Sequence, residues 1–494
     1  MAGAPGKLPH SKGNENLTGT IISAGRGTVI AVGPWLFTMA ALTLISVAAS
    51  QTLSRAALAD FRGIIIYAFA LSLIAAAPVV LVTSRVLSDA NFLGRRTAAQ
   101  PVMIAGVLGS GLASAILAWF VGSVLFELQS AILLALMQCS SLSGIMWVYL
   151  AIASTMRDYK GISATFMVGL MIATGATLFA VFQWYASTAE MVFAFNIGLA
   201  SIILSLALRE LRCARCPNLD IATAIRELAR YTRRYAWIAS GAVLGAIAVW
   251  IDKWIIWAGP AGLELKSGLM HAPFYDSAAF LAYLTIIPSL ARFVMALDGE
   301  YITAYRAYFS AIEGHATLDE IDRKGNALAR LTSEIIESNF LQQAAICAVV
   351  VLTAPLIIEA TNLQYAQVPV LRLCAIAVLF QFVFLVATSL LIFFERHREF
   401  FLLQVMFLVL SAACTMITVK IGPLSYGFGI LIASVISGIV ANAVLINVVR
   451  NINFYSFIES AVRMHVHERD SSGQQPSSPN ADWPIQPTDG ARSS

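Results

Sequence analysis

Charge is what this chain has least of. Only 12% of its 494 residues are Asp, Glu, Lys or Arg, whereas 58% are apolar; a soluble globular protein carries about 25% charged residues. With a mean hydropathy of +0.76, the composition excludes an ordinary soluble enzyme and predicts an all-α integral membrane protein. The apolar runs are about twenty residues long, not ten-residue alternating segments, which excludes an outer-membrane barrel. The six cysteines are scattered. Cys139, Cys347, Cys374 and Cys414 fall in apolar spans. Cys213 and Cys216 form a C-x-x-C without the second pair or histidines that a metal site needs, so neither a metal centre nor a disulfide framework is expected. No Walker A pattern occurs, no loop is long enough for a catalytic or nucleotide-binding domain, and nothing points to a nucleic-acid partner.

What remains is a succession of apolar helices. About twelve spans are predicted, near 28–49, 63–84, 101–123, 130–154, 162–184, 190–208, 236–258, 276–297, 339–359, 368–393, 400–420 and 425–448. Placing the N-terminus in the cytosol puts Arg85, Arg95, Arg96, Arg157, Lys160, Arg396 and Arg398 in inner loops, together with the arginines of 209–235 and the cations of 298–338. The outer loops receive only Arg55, Arg62, Lys266 and Lys420. That asymmetry follows the positive-inside rule and predicts two six-helix bundles with both termini cytosolic. The expected division is a cytosolic segment 1–27, a first bundle 28–208, a linker 209–235, a second bundle 236–449 and a tail 450–494. The first segment lacks a small-residue cleavage site, so the first helix is expected to be an uncleaved anchor. The tail is rich in Ser, Pro, Gly and Asp and is expected to be disordered from about residue 468.

Two cytosolic regions exceed a simple turn. In the linker, Ile221, Ile225 and Leu228 share a helical face opposite Arg226, Arg230, Arg233 and Arg234, which predicts an amphipathic helix on an anionic bilayer surface. Residues 298–338 read as a helical hairpin broken at Gly314, with Thr317 and Glu320 spaced as a capping box. Arg226, Arg230, Arg323 and Lys324 are therefore candidates for docking partner proteins.

The second bundle opens on WIASGAVLGAIAVWIDKWIIWAGP, residues 237–260, and the chain is organised around it. It is long and apolar enough to cross a bilayer, yet carries Asp252 and Lys253 side by side. A charge at a membrane-helix centre costs about 2.5–3.5 kcal/mol on insertion scales, so such residues face a cavity or a partner. Trp250, Trp254 and Trp257 share a face, and Asp252 lies roughly 200° from Trp250. A Trp face at the headgroups would point Asp252 inward; equally, Lys253 could snorkel outward beside an interfacial tryptophan belt. The other ionisable candidates for transport or coupling are Arg292, Arg372 and Asp276. The first bundle offers neutral groups instead: Thr38, Gln138, Gln183 and Asn196. A hydrogen-bonding cavity with charges on one wall suits a sugar, and Trp35, Tyr67, Trp147, Trp184, Tyr283 and Gln381 could stack on or bond to pyranose rings. Pro34, Pro78, Pro288 and Pro355 interrupt spans and are hinge or kink candidates. HAPFYD at 271–276 pairs a His and an Asp without a third catalytic partner, and it suits a helix start.

VWIDKWIIWAGP, followed by MHAPFYDSAAFLAYLTIIPSLARFVM, resembles the PelG family. This is the Pel exopolysaccharide transporter family of the multidrug/oligosaccharidyl-lipid/polysaccharide (MOP) flippase superfamily. The resemblance covers about residues 15–460. It implies no enzyme but a multi-pass protein of the bacterial inner membrane, moving an N-acetylgalactosamine-rich polymer to the periplasm for the biofilm matrix. Implied partners are a cytosolic glycosyltransferase and membrane subunits that include a cyclic-di-GMP receptor. No cofactor is implied beyond a proton or sodium gradient, with alternating access of two bundles. A non-conducting scaffold of the synthase, or an antiporter of drugs or lipid-linked sugars from the same superfamily, would fit the same helices.

Overall fold

The computed structural model describes residues 37–92, 99–155, 159–213, 221–314 and 316–454. Pro34, Trp35, Cys216, the N-terminal segment 1–27 and the tail beyond 454 lie outside them. A short apolar helix, α1 (Phe37–Ala49), is followed by eleven helical segments long and apolar enough to cross a membrane. The helices of the first half are α2 (Arg55–Phe92), α3 (Gln100–Phe120), α4 (Ser130–Thr155), α5 (Tyr159–Trp184) and α6 (Thr188–Cys213). The linker forms α7 (Ile221–Arg234) and turns directly into α8 (Ala236–Trp257). A two-stranded hairpin follows, β1 (Leu263–Glu264) against β2 (Met270–His271). Then come α9 (Pro273–Leu284), α10 (Ile287–Ala296), α11 (Ile302–Glu313), α12 (Leu318–Ala360), α13 (Val368–Phe393), α14 (His397–Ile421) and α15 (Phe428–Arg450).

Helix lengths sort membrane from non-membrane segments. At 1.5 Å per residue, α8 with its 22 residues is about 33 Å long, one bilayer core. With 43 residues, α12 is about 65 Å long, twice that depth. Its charged N-terminal half, with Asp319, Glu320, Arg323 and Lys324, must therefore project beyond the hydrocarbon. Thr317 does take the N-cap position of α12, but no side-chain capping bond forms. Glu320 pairs with Lys324 at 2.7 Å instead, so the expected capping box is replaced by an i,i+4 ion pair.

The prolines behave differently from one another. Pro78 and Pro355 sit inside continuous helices. Pro288 follows a break at Thr285–Ile286 and occupies the first turn of α10, where a missing N–H costs nothing. Residues 273–312 thus cross as α9, α10 and α11 in series, the last two joined by a widened turn at Leu297–Tyr301.

α2 runs against α8, so these two helices join the halves. The α8 end that carries residues 258–272 is here called the hairpin end, and the opposite one, bearing α7, the linker end. At the hairpin end a single apolar core crosses from Phe61, Ile64 and Tyr67 to Trp257, Leu265, Leu269 and Tyr275. At the linker end the clusters are distinct, one around Val82, Val86 and Met103, another around Phe293, Tyr308 and Phe407. α7 seats on α3 and α2 through Ala224, Leu228 and Tyr231. Ile225, expected on the apolar face, is exposed instead. The buried face is turned by about one residue, with Ala224 buried in place of Ile225.

Candidate functional site

The site is built where α8, α9 and α13 converge near the hairpin end. Asp252 is buried. Its carboxylate receives the Tyr275 hydroxyl at 2.6 Å and the Lys253 ammonium at 3.1 and 3.3 Å. Lys253 does not snorkel outward. Its Nζ turns back one helical turn to donate to the Val249 carbonyl at 3.0 Å and lies over the rings of Tyr283 (4.9 Å) and Trp250 (5.7 Å). Side chains lean toward the N-terminus of their helix, so this Lys is directed into the membrane, where the carboxylate and two aromatic faces replace water.

The tryptophans are not a headgroup belt either. Trp250 and Trp254 pack against the core, and Trp257 is buried. The Trp257 indole N–H donates to both carboxylate oxygens of Asp276 at 2.9 Å, and Asp276 also accepts the Ala272 backbone N–H at 2.9 Å. That last bond satisfies one of the orphan donors at the start of α9, which explains the helix-start reading of HAPFYD. The Trp257 ring then meets Tyr67 of α2 at 5.1 Å, and the Tyr67 hydroxyl donates to the Met270 carbonyl at 2.9 Å. The charged cluster is therefore one ring away from the contact between halves.

The hairpin completes that contact. Asp60 of α2 is buried and accepts both the Ser267 backbone N–H (3.0 Å) and its hydroxyl (2.8 Å). Gly63 leaves room for Leu265, whose Cδ1 would lie 2.5 Å from a Cβ at that position. Gly268 has a φ of +91°, which turns the hairpin against Phe126 and Leu128 of the first half. At the linker end the halves are tied by an exposed ion pair, Arg85 to Glu395 at 2.8 Å.

His271 in β2 is partly buried, and that burial together with the Arg62 charge holds its pKa below the ordinary 6.5, against the opposing charge of Asp60. The folded hairpin thus favours neutral imidazole. Its contribution to hairpin stability is complete above 6.5 and declines as pH falls below that value. The protection factors of amides across 259–272, exchange relative to the intrinsic rate at each pH, should fall as pH drops below 6.5, and His271→Gln should remove that fall. An equal fall in the variant would refute the role of His271.

Among the sequence candidates, the structure brings together Asp252, Lys253 and Asp276, with Tyr67, Tyr283 and Trp257 around them. Arg292 and Arg372 are elsewhere. Both are on the exterior, where Arg292 donates to the Ser338 carbonyl and Gln342, and Arg372 donates to the Val351 carbonyl. Each ties a neighbouring helix to α12. Asn196 donates to Gln138 inside the first half at 3.3 Å, and Trp147 donates to Ser72, whereas Gln183 and Trp184 face outward. Arg226, Arg230 and Arg323 are exposed on α7 and α12, and Lys324 is half-buried beside Glu320. Sequence reading missed Asp60 and Tyr275. Asp60 had a usable signal, a carboxylate at the head of the apolar run FRGIIIYAF. Tyr275 had none, because nothing local says that its hydroxyl reaches 23 residues back to Asp252.

With this geometry in place, comparison with known proteins is decisive. A family profile described as "PelG: Putative exopolysaccharide Exporter (EPS-E)" matches residues 1–457. The chain belongs to the PelG family. No curated protein matches it. The fold is that of MOP-superfamily transporters. A MOP-superfamily transporter from Pyrococcus furiosus aligns with a TM-score of 0.63 at 14% identity, covering 86% of this chain and 97% of that one. An Asp-to-Asn variant of a Vibrio cholerae MATE transporter gives 0.63 at 12%, covering 88% and 97%. An outward-facing multidrug resistance MATE transporter gives 0.57 at 15%, covering 87% and 97%. This PelG-family chain is thus a multi-pass membrane protein of an exopolysaccharide-exporter family, folded like the MOP transporters.

Proposed function

We propose that this protein exports the N-acetylgalactosamine-rich Pel polymer from cytosol to periplasm across the bacterial inner membrane, by alternating access of bundles 28–208 and 236–449. The observation that carries the mechanism is the buried Asp252–Lys253–Tyr275 cluster, one aromatic ring from the Tyr67–Trp257 contact between halves. A charge balance there is felt at the hairpin. Two carboxylates, Asp252 and Asp276, face one ammonium, which leaves one negative charge that a proton or sodium ion would neutralise during coupling.

With both termini and α7 cytosolic, the hairpin end faces the periplasm and the conformation is closed on that side. Once the halves part, Tyr67 and Trp257 no longer cover each other and supply faces on which pyranose rings stack. Export then requires the Asp60–Ser267 and Tyr67–Met270 contacts to separate. The exposed cations Arg226, Arg230, Arg323 and Lys324 dock the cytosolic glycosyltransferase, beside membrane subunits that include the cyclic-di-GMP receptor.

The test is where the polymer lies in cells lacking this protein while the transferase is still made. Hexosamine polymer assayed in medium, periplasm and cytosol should be trapped in the cytosol. Absence of polymer from every fraction would overturn the conduit role and make the protein a scaffold on which synthesis depends.

A further inference from the structure

The charged cluster depends on a helix that is short and interrupted. α9 has twelve residues, and the break at Thr285–Ile286 separates it from α10, so no long rod fixes its height against α8. Its N-cap residue, Ala272, has no side chain that could cap it, and Pro273 brings no N–H to the first turn. Yet this turn carries two members of the site. Tyr275 donates to Asp252 at 2.6 Å, and Asp276 accepts from Trp257 at 2.9 Å. A short hydroxyl–carboxylate bond tolerates little movement of either helix.

The turn is gripped from outside α9 by Gln367. This residue ends the short 3-10 turn Tyr365–Gln367 between α12 and α13, and it is buried. Its amide is fixed on its own side, where Oε1 accepts the Gln364 backbone N–H at 2.9 Å. An amide whose oxygen is so engaged presents its nitrogen the other way. Nε2 donates to the Phe274 carbonyl at 2.7 Å and lies 3.5 Å from that of Pro273. Ser277 already takes the Pro273 carbonyl at 2.8 Å from within α9, so Phe274 is the contact that crosses between helices. One side chain thus closes the outer turn and holds the residue immediately before Tyr275.

We propose that Gln367 is a positioning residue for Tyr275, setting the height of α9 at which the phenol hydroxyl meets Asp252. Without the Phe274 contact the first turn is free to move, and the buried carboxylate loses its hydroxyl donor while Lys253 stays in place on α8. Asp276 is on the same turn, so its bond to Trp257 moves with it, and the change reaches the Tyr67 contact between the halves. A consequence for transport rests on the export reading given above; the positioning itself does not.

The test is a double-mutant cycle on the purified full-length protein, read by thermal melting in detergent. Gln367→Met keeps the length and burial of the side chain but removes its hydrogen bonds, and should lower the melting temperature by about 3–6 °C. Tyr275→Phe removes only the hydroxyl. In the Tyr275→Phe background Gln367→Met should lower the melting temperature by about half as much or less, because the group it positions is gone. A role confined to closing the 365–367 turn would lower it equally in both backgrounds. A shift in the Tyr275→Phe background well above half of that in the wild type, or no shift in either, would overturn the proposal. Should Gln367→Met not accumulate, Gln367→Asn, the same amide one methylene shorter, takes its place in the cycle. Polymer export from the same cells separates the two readings: coupled melting with undiminished export would support the positioning and remove the cluster from the transport cycle.

Discussion

Lys253→Met is expected to destabilise the protein by about 3–5 kcal/mol, because it strands a buried carboxylate without its counter-ion. Asp252 is 1% exposed, and the Tyr275 hydroxyl would be its one remaining side-chain donor among the described residues. A hydroxyl satisfies one lone pair but neutralises no charge. The companion variant, Asp252→Asn/Lys253→Met, removes both charges and should restore most of the lost stability, since replacing a buried pair by neutral groups is often close to neutral. Thermal melting in detergent, followed by size exclusion, measures both. The pair of variants separates folding from transport. If the charges couple an ion gradient to conformational change, the double variant folds and reaches the membrane but exports less than about a tenth of the wild-type polymer, a barrier difference of about 1.4 kcal/mol or more. Wild-type export from the double variant would reduce the ion pair to a structural feature.

Cross-linking the hairpin to α2 should have the other large effect. A Cβ at position 63 would lie 4.0 Å from Cγ of Leu265 and 2.5 Å from its Cδ1. Gly63→Cys/Leu265→Cys therefore places two thiols within reach of a disulfide. The six native cysteines must first be replaced. Oxidation should abolish export, and reduction should restore it, because the bond fixes the halves at the end where their apolar cores merge. Undiminished export in the oxidised protein would mean that the hairpin contact need not open, and that polymer passes by another route. A control pair within one half, such as Thr165→Cys/Ser205→Cys, where the native hydroxyls are 3.2 Å apart, should oxidise without loss of export.

Hydropathy sufficed for eleven of the twelve expected spans among the described residues, the first being a short helix there, and for the expectation that Asp252 needs a partner, because a long apolar helix and a charge within it are governed by the solvent. A bilayer tolerates few alternatives to a helix, and a carboxylate within one must find a partner. The family, too, was legible in the stretch 250–297, where IDKWIIWAGP and HAPFYD lie together. Partnership was not legible. Lys253 snorkelling outward and Lys253 folding back over Tyr283 satisfy the same local pattern; only the packing of α9 against α13 excludes water and selects the second. Trp257 reads as an interfacial anchor until Tyr67, nearly two hundred residues earlier, covers its ring. Arg292 and Arg372 read as cavity charges until α12 supplies carbonyls for them on the exterior. Local sequence determined which groups could not remain in contact with lipid, and the tertiary structure decided which groups replaced it, because a hydrogen bond or ion pair between distant helices depends on a separation that no periodicity encodes.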